Sequence, residues 1–481
     1  MEILVRNPFY YPDFEQLYER LHPPRVCIDN DTCQDCTLVK VDSINKNGIL
    51  LEMVQVLTDL DLVILKGYIS SDGGWFMDVF HVTDQLGNKI TDEGLIAYIQ
   101  KAMCARREEI EVQTTIGRDV RPWHVISTDQ TAIEITAMDR PGLMSEIAAA
   151  LVDMECNMSA AVAWTHNSRV ACILYVEDGP TCMPIVDFSR MVFIRSHLEC
   201  VVRAHHCEGE RQSVILAFHK PGLTHTERRL HQLMAADIDY YMLFPYSNGT
   251  KNGSGSNRDN QGGTQVTICN EKDYSTVTVS SRDRPKLLFD TVCALTDMHC
   301  VVFHAAISSH GSTAIQEYYI RHKDGSPLNL DAERNVVTKH LIAAVERRAS
   351  HGLRLEITAR NRVGLLSEVT RVFRENALSL LRAEIGTQGR RAAGTFYVAD
   401  TSGDDVESDR VEAIRNEIGT DVIKVVTDSF ASAPRTSAST SSRTSSSGSS
   451  AADEEGSRFS LLHLLQSQFE RFSSNLRAIM S

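Results

Sequence analysis

The chain lacks most of the features that mark a membrane protein, a secreted scaffold or an enzyme. No stretch approaches the roughly 20 apolar residues that a membrane-spanning helix requires. The opening MEILVRNPFYYPDFEQLYERLH has neither the apolar run nor the small-residue cleavage site of a secretory signal. Aromatic residues are only 7% of the 481, and the formal charge is −14 with no basic block. Stacking platforms and counterion-displacing surfaces for nucleic acid are therefore not expected. Twelve cysteines are spread without a paired framework, which suits free thiols in a reducing compartment. The expectation is a protein of the cytosol or nucleus, with no membrane span and no nucleic-acid partner.

Catalytic signatures are also missing. The sequence has no G-x-x-x-x-G-K-[ST], no H-E-x-x-H, no G-x-S-x-G and no strand-linked G-x-G-x-x-G. One CxxC pair, Cys33 and Cys36, has no second pair or pair of histidines at zinc-finger spacing, and it precedes a strand rather than a helix. It is read as coincidental, as are the isolated histidines and the doublet His205–His206. No cofactor, metal or catalytic residue is expected.

What the chain does have is a repeat. Four segments of 31 residues align without gaps, beginning at Val41, Ile135, Val279 and Ile357. Each carries Asn or Asp at a turn (Asn45, Asp139, Asp283, Asn361) and, three residues on, Gly or its replacement (Gly48, Gly142, Lys286, Gly364). An acid follows four residues later: Glu52, Glu146, Asp290 and Glu368. An apolar strand precedes each turn, and apolar residues at helical spacing follow it, such as Leu143, Ile147, Ala150, Leu151 and Met154. The Asn or Asp is expected to cap that helix, with Pro141 or Pro285 in its first turn. The acid is expected to complement the helix dipole.

Two further strands, a second helix visible in three copies as Leu95–Met103, Val336–Val345 and Val411–Ile418, and a last strand complete the order βαββαβ. The fold class is thus α+β, four ferredoxin-like modules in two pairs. The expected boundaries are an N-terminal segment 1–35 and modules at 36–116, 130–218, 273–350 and 352–428. The last strands are placed at Glu111–Thr115, Ser213–Phe218, Arg354–Ile357 and Val422–Val426, with Arg354–Ile357 also able to begin the fourth copy. Pairing is expected within each half of the chain, first module with second and third with fourth, to cover strand edges.

Between the halves, residues 219–272 hold a helix at Leu223–Ala236, capped by Thr224 or Thr226, and a Gly/Asn/Ser-rich linker. A disordered Ser-rich tail at 429–457 and an amphipathic helix at 458–481, expected to dock on a module or a partner, close the chain.

The glycine at each turn allows close approach to the backbone N–H groups of a helix start, a setting suited to a carboxylate. The same glycine also suits a turn that binds nothing, and the residues alone leave both readings open.

These turns, the opening VDSINKNGILLEMVQVLTDLDLVILKGYISSDGGWFMDVFHVTD and the connecting GLTHTERRLHQLM resemble the plant ACT domain repeat family over nearly the whole chain. The region also resembles the regulatory ACT part of bacterial uridylyltransferases. The short segment ahead of the first module leaves no room for the catalytic domains of those enzymes. The resemblance implies a non-enzymatic regulator, with free amino acid as ligand and a protein partner or self-association. It places ligand between paired modules at Asn45, Gly48, Ile49 and Leu50, at Asp139, Gly142, Leu143 and Met144, and at Asn361, Gly364, Leu365 and Leu366. Lys286 departs from the pattern in the third module.

Overall fold

A computed structural model describes residues 24–104 apart from 47 and 73, and then 130–204, 211–218, 225–241, 263–402 and 406–426. The expected strand Glu111–Thr115, most of the linker, the Ser-rich tail and the terminal helix lie outside the described residues.

Each repeat folds as strand, helix, strand, strand, helix. In the first module these are β2 (Thr37–Ile44), α1 (Ile49–Asp59), β3 (Val63–Asp72), β4 (Trp75–Thr83) and α2 (Glu93–Cys104). In the second they are β5 (Thr131–Met138), α3 (Leu143–Asp153), β6 (Cys156–His166), β7 (Arg169–Asp178) and α4 (Phe188–Arg203), followed by β8 (Ser213–Phe218). The connecting helix α5 spans Thr226–Ala236. The third module has β10 (Ser275–Arg282), α6 (Leu287–Asp297), β11 (Cys300–His310), β12 (Thr313–His322) and α7 (Asp331–Arg347). The fourth has β13 (Leu353–Arg360), α8 (Leu365–Glu375), β14 (Leu378–Gln388), β15 (Arg391–Asp400), α9 (Ser408–Ile418) and β16 (Ile423–Val426).

Strand pairing decides the assignment left open at Arg354–Ile357. Arg354–Ile357 belongs to the fourth module, because β13 pairs with both β15 and β16. The edge of the third module is closed from the other side, by β9 (Gln265–Asn270) hairpinned onto β10. The first module is built the same way, with β1 (Arg25–Asp29) on β2, so its edge strand lies before residue 36.

Module pairing also differs from the expectation. One eight-stranded sheet runs β1-β2-β4-β3-β11-β12-β10-β9 and the other β16-β13-β15-β14-β6-β7-β5-β8. The first module therefore pairs with the third through β3 and β11, Tyr68 opposite Ala306. The second pairs with the fourth through β6 and β14, Val162 opposite Glu384. In both cases equivalent strands meet antiparallel, and the first helices pack together, α1 on α6 and α3 on α8. Each pair thus shares one core. In the second sheet it joins Leu143, Ile147 and Leu151 to Leu366, Val369 and Phe373.

Neighbours in sequence do not pair, and α5 lies between the two sheets. Leu230, Leu233 and Met234 on its apolar stripe bury Ala132, Val162, Trp164, Ile173 and Tyr175, on the face of the second sheet away from its own helices. Strand β7 is consequently buried on both faces, which explains its unbroken run VACILYV. The opposite side of α5 rests on α6 and α7 of the other pair. Its N-cap is His225, not a threonine: the imidazole accepts from the Arg228 N–H, while Thr226 Oγ1 meets the Tyr175 hydroxyl at 2.8 Å.

Candidate functional site

The strand-to-helix turns have one design. The last residue of the strand region donates its backbone N–H to the hairpin joining the second and third strands: Asn45 to Gly74 at 2.8 Å, Asp139 to Ser168 at 2.8 Å and Asn361 to the Arg390 carbonyl at 2.8 Å. The chain then turns through Gly48, Gly142 or Gly364 with φ between 80° and 86°. That glycine, and not the Asn or Asp, is the residue capping each helix, and no side chain accepts from the helix start. The capping expectation fails because the helix opens after the glycine, leaving the Asn or Asp and the proline a step too far upstream. The first N–H groups of each helix therefore lack a side-chain acceptor.

The repeated acid has a more specific partner than the helix dipole. Each turn carries Lys or Arg directly after its Asn or Asp, and this cation pairs with the acid six residues on. Lys46 meets Glu52 at 2.9 Å and Arg284 meets Asp290 at 2.7 Å, while Arg140 with Glu146 and Arg362 with Glu368 are also paired. The signal was present in all four copies of the sequence.

Lys286 replaces glycine in the third module but keeps the turn, with φ 65°, and its ammonium is spent on Glu227 of α5 at 2.8 Å.

Ile49, Leu50, Leu143, Met144, Leu365 and Leu366 all point into the cores, each less than 9% exposed. At these positions only backbone can meet a ligand.

The second and fourth turns face one another's modules across the shared sheet, and each borders a cavity. The cavity at the second turn includes Asp139, Arg140, Gly142, Leu143 and Met144, with Thr370, Phe373 and Arg374 from α8, and encloses about 30 Å³. That is room for water alone. Arg374 fills the place: a Cβ added at Gly142 would stand 2.6 Å from its Cδ. Burial pushes the Asp139 carboxyl up to about 6, against the pull of the Arg140 backbone and charge.

The cavity at the fourth turn is far larger, about 400 Å³, within the range of small-molecule sites. It brings together Asn361, Gly364, Leu365 and Leu366 with Val152, Ser159 and Glu177 of the second module. Gln130 also lines it. The Nε2 of this residue donates to Glu177 at 3.0 Å, while its buried Oε1 has no hydrogen-bond partner. Sequence reasoning missed Gln130 and Arg374, since neither belongs to the turn it serves.

Among the described residues no cluster of three His, Cys, Asp or Glu converges on a metal position, and no helix is long and apolar enough to cross a membrane.

Residues 32–110 match the N-terminal ACT domain of the ACR family, and residues 353–419 match the ACT domain. The chain is 48% identical over 487 aligned residues to ACT domain-containing protein ACR1 of Arabidopsis thaliana, covering 100% of both chains. The chain belongs to the ACR family of ACT domain-containing proteins. A second relative, ACT domain-containing protein ACR3 of the same plant, is 50% identical over 412 residues, 86% of this chain and 89% of that protein. The likeness to uridylyltransferases is confined to a short region: the bifunctional uridylyltransferase/uridylyl-removing enzyme of Azospirillum brasilense is 37% identical over 81 residues, 17% of this chain and 9% of that one. The four-module ferredoxin-like architecture is thus that of an ACR protein, with its ACT modules interleaved as first with third and second with fourth.

Proposed function

We propose that the protein is a non-enzymatic regulator that binds a free amino acid in the cavity at the fourth turn. The supporting observation is the 400 Å³ space beside a helix start that has no side-chain cap. The N–H groups at the start of α8 and the positive end of its dipole suit a carboxylate. The Gln130 Oε1, buried and unpartnered in the unliganded protein, becomes an acceptor for an ammonium or a polar side chain once the amide turns toward the cavity that Gln130 lines. Gly364 leaves the approach open, since an added Cβ would meet only Val152, at 3.8 Å. The corresponding place at Asp139 and Gly142 takes ligand only after Arg374 withdraws. At the first turn, Asn45, Gly48, Ile49 and Leu50 offer the same backbone, and that position is a secondary proposal.

A melting assay against the twenty amino acids tests the reading. A ligand at 100 times its Kd should stabilise the fold by about 2.7 kcal/mol. Gln130→Met keeps the volume and removes the acceptor. It should weaken binding by about 1–3 kcal/mol; because it also removes the hydrogen bond to Glu177, the unliganded melting temperature should fall slightly, and the ligand-induced shift is measured from the variant's own baseline. If none of the twenty at millimolar concentration shifts the wild-type melt, the modules pair without ligand and the protein is an interaction scaffold.

A second expectation separates the two cavities by pH. Ligand whose ammonium approaches Asp139 must hold that carboxylate ionised, so binding at the second turn would strengthen as pH rises through about 6. Arg374→Ala, which vacates that cavity, should introduce this pH dependence in calorimetry; its absence would show that Asp139 does not face bound ligand.

A further inference from the structure

One CxxC pair serves neither the repeat nor the ligand cavity. Cys33 and Cys36 lie in the connection between β1 and β2, with the Cys36 thiol donating to Cys33 Sγ across 3.0 Å. Both ends of this connection are pinned. Asp29 accepts from the backbone N–H groups of Asp31 and Thr32 at 2.9 and 3.0 Å and from Lys40 at 2.6 Å. Asn30 accepts from Thr37 Oγ1 at 2.6 Å and donates to the Ile90 carbonyl at 2.9 Å.

The two sulfurs are thereby held within reach of a bond and are unlike each other. Cys33 is half-buried and open to a reagent, whereas Cys36 is 3% exposed. The Cys36 thiol and the Asp35 backbone N–H favour a thiolate on Cys33 and draw its pKa down, against burial and the Asp35 carboxylate. Burial and the Cys33 sulfur push Cys36 up to about 11, against the pull of Lys66.

We propose that Cys33 and Cys36 form a dithiol–disulfide site that exchanges with small disulfides, Cys33 as the attacking thiol and Cys36 as the resolving one. The Cys33 thiolate attacks one sulfur of a disulfide RSSR; the S–S bond breaks, and RS⁻ leaves and takes a proton from water. Cys36 then attacks Cys33 Sγ of the mixed disulfide, expelling the second RS⁻, which takes the Cys36 proton. The protein dithiol gives up two electrons and RSSR is reduced to two RSH. Only two residues separate the cysteines, so ring closure removes little chain entropy. Such a bond is suited to exchange, not to holding the fold.

The test uses the full-length protein in mixtures of glutathione and glutathione disulfide, quenched with acid, alkylated and read by peptide mass. The peptide carrying both residues should reach the intramolecular disulfide about tenfold faster than exposed Cys27, Cys104, Cys200 and Cys269 acquire glutathione. Cys36→Ser should trap one glutathione on Cys33, and Cys33→Ser should take up none at Cys36. Melting curves of both variants verify the fold, with Cys36→Ala replacing Cys36→Ser if serine destabilises it. The proposal is overturned if Cys33 and Cys36 of the wild type stay reduced while Cys27 and Cys269 are glutathionylated. It is also overturned if Cys36 in the Cys33→Ser variant reacts as fast as Cys33 in its counterpart.

Discussion

Cut at the connection 242–262, the halves 1–241 and 263–481 should each fail to melt cooperatively alone and should form a 1:1 complex when co-expressed. Each half holds one module of each sheet, so separation exposes the β3, β6, β11 and β14 edges together and opens both shared cores. Leu143, Ile147, Leu151, Leu366, Val369 and Phe373 are only part of the apolar surface at one of these interfaces. Losing burial at about 1.5–3 kcal/mol for each such side chain consumes the roughly 5–15 kcal/mol that holds an ordinary domain. Size-exclusion chromatography and calorimetry decide the matter. A monomeric 1–241 that melts near the temperature of the intact chain would mean that first pairs with second after all. Homodimers of one half in place of the 1:1 complex would count against the interleaved order as well.

The parts of this fold that could be read from the sequence are those fixed by neighbours along the chain. The turn, the helix after it and the hairpin of the second and third strands fall within one short window, and their apolar periods show plainly. Helix α4 escaped because only Ile194, Leu198 and Val202 are buried, while Phe188, Val192 and Phe193 stay exposed and blur the stripe. Strands β1 and β9, RVCID and QVTICN, are half-exposed edge pieces outside the repeat, with no buried face to declare them. Module order was illegible for a different reason. Equivalent strands β3, β6, β11 and β14 carry equivalent patterns, and adjacency in sequence is the usual guide to adjacency in space. Helix α5 carried a visible apolar stripe, but its two partners, one in each sheet pair, were not visible. The turn residues were found from sequence, yet the room beside them depends on Gln130 and Arg374, which come from elsewhere in the fold.

The charged side of α5 leads to the remaining large effect: Asp290→Asn should lower stability by about 3–5 kcal/mol. Asp290 is fully buried and accepts from Arg348 at 2.7 and 2.8 Å, from Arg284 at 2.7 Å and from His231 of α5 at 2.8 Å. Arg348 also holds Glu227 of α5 at 2.9 and 3.1 Å and stacks over Trp164 of β6, 4.8 Å from the ring centroid. One guanidinium thus joins the third module, the connecting helix and the second sheet. Neutralising Asp290 leaves Arg284, Lys286, Arg348 and Arg382 facing only Glu227 and Glu384, a surplus of buried positive charge. Breaking such a network is costly even where forming it gains little over apolar packing. Arg348→Leu in the same chain removes part of that surplus, so the double variant should lose less than the sum of the singles. The pH dependence has a definite sign. Burial alone would raise the Asp290 pKa, but Arg348 and Arg284 outweigh it and hold the carboxyl well below the usual carboxylate range. A depressed pKa contributes stability that is complete above the unfolded value, about 3.9, and is lost as pH falls below it. Wild type should therefore weaken on acidification below about pH 4, and Asp290→Asn should weaken less over the same interval. Denaturant titrations at pH 7 and pH 3 measure both; equal acid losses in the two proteins would mean that Asp290 is not ionised in the fold.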